Sequence, residues 1–165
     1  MPFQNHTDRV ISQLKRTGAF LTVKNGERVN SMTIGWGLLG IHWRMPIFVV
    51  SVRRSRYTYQ LIDTAEDFTV SVPRDHAWDE ALAFCGSRSG ANVDKYEKCG
   101  MVMLPAREVQ TPILEGGGFT YECRVVYKTP LDLMELAPGI REQFSYSAGD
   151  IHTLYFGKIL ASYEA

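Results

Sequence analysis

The alternation of apolar and polar positions divides the chain into short elements. Within residues 8–17, Val10, Ile11 and Leu14 fall at helical spacing and predict a short amphipathic turn or helix, which Gly18 stops. The period then shortens to that of a strand. AFLTV, the Asn25-Gly26 pair and RVNSMTIGW read as a hairpin, because Asn-Gly supplies the positive φ angles of a two-residue turn. Beyond it, Gly35, Gly37 and Gly40 let the backbone turn, or let something approach it closely. Pro46 can open the next strand, IFVVSV, but cannot sit inside a central ladder; that run is apolar on both faces and reads as buried. From Ser55 to Ala65 the period is helical, with Ser55 as N-cap and Tyr57, Leu61 and Ile62 on one side. FTVSV follows as a strand ended by Pro73. Residues 76–85 predict a helix with Trp78, Leu82 and Cys85 on a shared face and a stop at Gly86, and residues 92–99 a further short helix.

The final third returns to strands. Thr111-Pro112 and Gly116-Gly117-Gly118 bracket a turn, after which FTYECRVVYKT alternates as a half-buried strand. LDLMEL fits strand or helix equally. Pro138-Gly139 opens a helical turn through Phe144, Gly149-Asp150 turns the chain again, and IHTLYFGKILASY closes it as a long strand with a bulge expected at Gly157. Many strands, two or three short helices and no regular βα alternation predict a mainly β (β+α) fold, a β-barrel with short helices packed outside. No linker, repeat or low-complexity segment interrupts residues 1–165, which read as a single domain.

Charge and cysteine usage narrow the function. Eighteen basic side chains balance eighteen acidic ones, so no global field draws the protein to nucleic acid or an anionic membrane, and any anion site must be local. No apolar run approaches the roughly 20 residues of a membrane helix. MPFQNHTDRV lacks the basic start, apolar core and small-residue cleavage site of a secretory signal, so a cytoplasmic protein is expected. Cys85, Cys99 and Cys123 are odd in number and widely spaced, which argues against a disulfide framework and against a CxxC metal site. No metal is expected.

The densest chemistry lies between Asn30 and Thr58. Arg53, Arg54 and Arg56 stand among Ser55, Tyr57 and Thr58, gathering guanidinium forks and hydroxyls where an anionic ligand would need them. A helix opening there would add free N–H groups, and the CGSRSG loop is a second candidate anion nest. The stretch suits an apolar ring with a phosphate tail. The run Gly35-Trp36-Gly37-Leu38-Leu39-Gly40 matches G-x-G-x-x-G, but the dinucleotide fingerprint needs a helix at its third glycine. His42-Trp43-Arg44-Met45-Pro46 does not start one, and that reading is rejected.

The run Asn30-Ser31-Met32-Thr33-Ile34-Gly35-Trp36, then Pro46, then Val52-Arg53-Arg54-Ser55-Arg56-Tyr57-Thr58, resembles the flavin reductase-like family, FMN-binding split barrels that include the flavoredoxins. Phe68-Thr69-Val70-Ser71-Val72-Pro73, Cys85-Gly86 with Ser89-Gly90, Asp94-Lys95-Tyr96 and His152-Thr153-Leu154-Tyr155-Phe156-Gly157 follow in the family's order, so the resemblance spans nearly the whole chain. Tyr96 stands where the family usually has Phe, and the chain ends soon after Gly157, where many members continue. The resemblance implies FMN, or FAD, on the barrel near a homodimer interface. The backbone and side chains of Asn30, Ser31, Met32 and Thr33 would bond the ring edge, and Trp36 would flank it. Arg53, Ser55, Arg56 and Thr58 would hold the phosphate, with Tyr57 in the same motif and Ser89 from the loop. Lys95 would bring positive charge near the flavin pyrimidine and stabilise the anionic reduced form. His152 resembles a histidine close to the flavin or nicotinamide in relatives.

By residue type alone each has an ordinary alternative. Met32 and Trp36 read as core, Arg54 as a solvated charge, Lys95 as a helix-surface lysine, His152 as a packed strand histidine and Cys85 as a buried thiol. His42 and His76 have no assigned role. Three functions follow from the resemblance. The first is a flavin reductase taking hydride from a transient NAD(P)H and passing electrons to an acceptor. The second is a flavoredoxin-type carrier with retained FMN, a redox partner protein and no nicotinamide site. The third is a ligand-binding split barrel without catalysis.

Overall fold

A computed structural model describes residues 3–165; Met1 and Pro2, which begin the stretch read above for a secretory signal, lie outside the described residues. Helix α1 (Thr7–Arg16) precedes strands β1 (Ala19–Asn25), β2 (Arg28–Ile34), β3 (Gly37–His42) and β4 (Met45–Arg53). Helix α2 (Tyr57–Ile62) leads to β5 (Asp67–Val72), and a 3-10 turn at His76–Trp78 runs into α3 (Asp79–Ser87) and α4 (Lys95–Cys99). The short strands β6 (Met103–Leu104) and β7 (Ile113–Leu114) pair with each other, followed by β8 (Phe119–Pro130), α5 (Pro138–Gln143) and β9 (His152–Glu164).

The other seven strands form one antiparallel sheet in the order β2-β1-β5-β8-β9-β4-β3. It curls until β2, at one end, approaches β4, near the other, with no ladder between them. This is the expected mainly β split barrel, and its seam runs between β2 and β4. Alternation along β1 points Leu21 and Val23 inward, to Phe48, Phe68, Tyr121 and Tyr155, while Phe20 points outward to Leu82, Cys85 and Leu114 beneath α3. A fully buried side chain of this size contributes about 1.5–3 kcal/mol, and a one-residue slip would exchange the two faces. The two cores together therefore fix the register of β1. Among the described residues no helix is long and apolar enough to cross a membrane.

Several local expectations are corrected. In the first hairpin Asn25 pairs with Arg28, so the loop is Gly26-Glu27 and only Gly26 takes a positive φ, of 60°. The glycine-punctuated run after it is strand β3, joined to β4 by Trp43-Arg44 with φ of 50° and 59°. That turn lacks the Asn or Gly that normally marks such a conformation. No helix follows Gly40, in keeping with the rejected fingerprint. Ser55 is not an N-cap: Arg56 holds that position with no side-chain capping bond, and the Ser55 N–H donates to Asp150 Oδ1 at 3.1 Å. Gly86 does not stop α3, which continues to Ser87 with this glycine facing Thr33. The next helix begins at Lys95 and is capped by Asp94, which accepts from the N–H groups of Tyr96 and Glu97. Strand β8 is buried on both faces from Phe119 to Cys123 and alternates only weakly afterwards. LDLMEL forms neither strand nor helix. Gly157 is in register with both Phe48 and Val125; the extra residues are Val126 on β8 and Leu160 on β9.

Candidate functional site

The barrel seam opens into two adjoining cavities. One, of about 310 Å³, is lined by Met32 to Trp36 at the end of β2, Ser51 and Arg53 of β4, Arg56, Phe144 and His152. The other, of about 150 Å³, is lined by Asn30, Met32, Ser55 to Thr58, Ser87 to Gly90 and Lys95. They share Met32 and Arg56, so a trough with an aromatic end meets one rich in donors.

At the donor-rich end Lys95 is only 3% exposed. Its ammonium donates to the carbonyls of Ser31 at 2.9 Å and Cys85 at 3.0 Å, and no carboxylate lies within ion-pair distance among the described residues. Burial, with a contribution from the Arg56 guanidinium, pulls its pKa below the usual lysine range. Arg56 likewise has no carboxylate partner there, and donates to the Gly86 carbonyl at 2.7 Å. The buried Lys95 ammonium, compensated only by carbonyls, beside the exposed Arg56 guanidinium makes a seat that a phosphate would neutralise. Asn30 Nδ2 donates to Thr58 Oγ1 at 2.8 Å, both residues being buried, and Ser89 accepts from the Ala91 N–H at 3.2 Å. Each hydroxyl keeps its own proton to donate. Gly90 closes the wall: a Cβ there would lie 2.0 Å from Asn30 Oδ1.

The aromatic end is assembled from distant sequence. Arg53 donates to the Phe144 carbonyl at 2.8 Å and to Asp150 Oδ2 at 3.3 Å, and lies over the Tyr146 ring at 5.0 Å. Burial acts to raise the Asp150 pKa, but hydrogen bonds from Ser55 and Arg53 outweigh it and hold the carboxyl below its ordinary value. His152 Nδ1 is 2.8 Å from the Tyr146 hydroxyl, and its ring lies 4.8 Å from that of Trp36, which meets Phe144 edge-on at 5.0 Å. Burial first, then the Arg53 charge, lowers the His152 pKa to about 4, so the imidazole is neutral at pH 7. Its Nε2 has no hydrogen-bond partner among the described residues.

The seam thus brings Asn30, Met32, Ser55, Arg56, Tyr57, Thr58, Ser89 and Lys95 to one end, and Thr33, Trp36, Arg53 and His152 to the other. Two of the expected side chains have their hydroxyls engaged elsewhere, which leaves their backbone groups as the contacts the motif could still offer. Ser31 turns its hydroxyl to Thr22 and Tyr96, leaving only its carbonyl for Lys95, and the Thr33 hydroxyl donates to the Leu82 carbonyl at 2.6 Å. Arg53 does not line the donor-rich cavity, and its guanidinium is engaged by Phe144 and Asp150. Met32 is both core and cavity wall, Trp36 is 42% exposed and so not core, and Lys95 is not a surface lysine. Cys85 is fully buried, and burial pushes its thiol up to about 12. Sequence reading missed Ser51, Phe144, Tyr146 and Asp150. The last three meet Arg53 across more than ninety residues of chain, and no local pattern marks them.

The geometry can be set beside known proteins. The family model described as "Flavin reductase like domain" matches residues 11–165. An uncharacterized protein of Archaeoglobus fulgidus is 28% identical over 141 residues, covering 86% of this chain and 68% of that protein. The FMN-binding protein from Thermus thermophilus with bound 1-cyclohex-2-enone aligns with a TM-score of 0.67 at 25% identity, over 88% of this chain and 68% of that one. Flavoredoxin from Methanosarcina acetivorans aligns with a TM-score of 0.66, also at 25% identity, over 89% and 67% of the two chains.

Proposed function

The chain belongs to the flavin reductase-like family, and on that premise we propose that it is an FMN-binding oxidoreductase that passes electrons from NAD(P)H through the flavin to an acceptor. The observation that carries the reading is the pair of cations, Lys95 and Arg56, with no carboxylate partner among the described residues, at one end of a trough whose other end is aromatic. Arg56, Ser55, Thr58 and Ser89 would take the phosphate, Asn30 and Met32 the middle of the ligand, and Trp36 one side of the ring. When bound, FMN supplies the hydride-accepting and electron-releasing chemistry. The chain's own part is to hold positive charge at Lys95, to keep a neutral imidazole at His152 fixed by Tyr146, and to exclude water with Trp36 and Phe144.

A flavoredoxin-type carrier, retaining FMN and exchanging electrons with a protein partner, is the second reading, favoured by the likeness to the Methanosarcina acetivorans protein. A homodimer with the flavin near its interface belongs to both. Its support is an exposed aromatic group at Trp43 and Tyr127, packed about Phe156, which is the kind of apolar surface a second copy covers. The deciding experiment is the visible spectrum of the purified protein with FMN, then with NADH, under anaerobic conditions. Flavin bands that bleach with NADH support the reductase, and bands that bleach only with dithionite support the carrier. No retained flavin and no NADH oxidation with FMN supplied would leave a ligand-binding barrel and sink the proposal.

A further inference from the structure

Cys85, on α3, and Cys99, the last residue of α4, have no part in the site described above. Both belong to the outer core beneath α3, and their thiols lie within hydrogen-bonding reach of each other. Cys85 is fully buried, whereas Cys99 is only partly so and borders an open groove with Trp78, Phe84 and Lys98. Cys123 sits in the other core, inside the barrel. The segment between the paired cysteines carries Ser87 to Gly90 and Lys95, one whole wall of the donor-rich cavity. Lys95 also donates to the carbonyl of Cys85 itself at 3.0 Å. A bond between the two sulfurs would therefore close a loop around that wall.

We propose that Cys85 and Cys99 form a reversible thiol–disulfide pair, oxidised by a peroxide and reduced by a dithiol, that staples the wall of the anion cavity. In the first step the Cys99 sulfur attacks a peroxide oxygen: an S–O bond forms, the O–O bond breaks, and the departing hydroxide takes the thiol proton as water. In the second, the Cys85 sulfur attacks the Cys99 sulfur: the S–S bond forms, the S–O bond breaks, and the leaving hydroxide takes the Cys85 proton. Two thiols lose two electrons and hydrogen peroxide becomes two waters. The order follows from access. Cys99 borders the groove and meets the peroxide, whereas Cys85 is fully buried and can attack only the Cys99 sulfur beside it; burial that pushes Cys85 up to about 12 makes this second step the slow one. Closing the loop restrains Ser89 and Lys95 before any ligand arrives, so the oxidised form binds phosphate-bearing ligands more tightly. This last consequence rests on the trough being the flavin site; the cross-link itself does not.

The test treats the full-length protein with stoichiometric hydrogen peroxide, counts thiols after denaturation, and maps non-reduced tryptic peptides, since Arg88, Lys95 and Lys98 lie between the two cysteines. The expected result is loss of two of the three thiols, a Cys85–Cys99 linked peptide, and full recovery with dithiothreitol. FMN titration of the two forms should show at least about threefold tighter binding when oxidised. Cys99→Ser should give no linked peptide and no peroxide effect on FMN. Three free thiols after treatment, over-oxidised Cys99 beside a free Cys85, or a link to Cys123 overturns the pair. A link that forms while FMN affinity is unchanged or weaker overturns the stapling. If neither form binds FMN, the flavin reading fails, and the peptide map still decides the cross-link.

Discussion

Arg53 is clamped by Asp150: its guanidinium reaches Oδ2 at 3.3 Å, while Oδ1 of the same carboxylate accepts the Ser55 N–H at 3.1 Å. Arg56, three residues on, meets no carboxylate among the described residues and lines both cavities. Two arginines of one motif therefore do different work. Arg53 fastens the 144–152 segment to the end of β4, and Arg56 is left to meet a ligand.

The two arginines are separable by experiment. Arg56→Ala removes a charge-assisted contact and should cost about 1.5–3 kcal/mol of FMN affinity, with little change in unfolding free energy. Arg53→Ala strips Asp150 of its cation and frees the Phe144 carbonyl, and should lower stability by about 1–2 kcal/mol. Titration of flavin fluorescence and urea unfolding, run on both variants, check the split. Equal losses of FMN affinity would mean that Arg53 is a phosphate ligand after all.

His152 ties stability to pH. Its folded value, about 4, lies below the ordinary 6.5, so between these values the unfolded chain binds a proton that the folded one refuses. Stability is therefore full above pH 6.5, falls as the pH drops toward 4, and loses nothing further from this residue below that. The loss is on the order of 3 kcal/mol. Urea unfolding at several pH values, wild type minus His152→Asn, isolates it from the carboxylates. Parallel pH profiles for the two proteins would mean that the imidazole takes up protons equally well in both states.

How much of this was legible in the sequence depends on how locally each feature is encoded. The barrel strands, the stop at Gly18 and the short helices follow from periodicity and turn residues close at hand, and the residues of the seam lie in motifs that could be read in order. The Trp43-Arg44 turn was not legible, because its positive φ angles are imposed by the β3–β4 pairing on residues that do not favour them. Nor was the clamp on Arg53, since Phe144, Tyr146 and Asp150 reach it only after β9 is laid beside β4. The burial of Lys95 depends on α4 folding back over the Ser31 carbonyl, and helix pattern alone places a lysine there at the surface.

Gly157 shows how a correct residue can carry the wrong reason. A glycine in a strand suggested a bulge, yet the bulges fall at Val126 and Leu160. The site needs glycine because a Cβ would lie 2.4 Å from Phe68 Cζ and 2.7 Å from Cys123 Cβ, in the middle of the barrel core. Gly157→Ala should destabilise by about 1–3 kcal/mol through overpacking. Adding Phe68→Leu should recover part of that loss, which a double-mutant cycle in urea would read. Strict additivity of the two changes would refute the contact.

Gly90 offers the cleanest probe of the donor-rich wall. Its φ lies outside the left-handed region, so alanine meets no backbone strain there, only the Asn30 side chain at 2.0 Å and Tyr57 Cδ1 at 3.2 Å. Asn30 is buried and must rotate, giving up its 2.8 Å bond to Thr58. Gly90→Ala should thus lower FMN affinity by about tenfold or more and stability by about 1–2 kcal/mol. Gly40→Ala, with nothing within 4 Å of its Cβ, is the matched control and should change neither. The pairing matters because both substitutions add the same methyl group to a glycine outside the left-handed region, and only one points it into the trough. If the two variants bind FMN alike, the loop from Ser87 to Gly90 is not a wall of the ligand site, and the phosphate must sit on Arg56 and Thr58 from the β4 side alone.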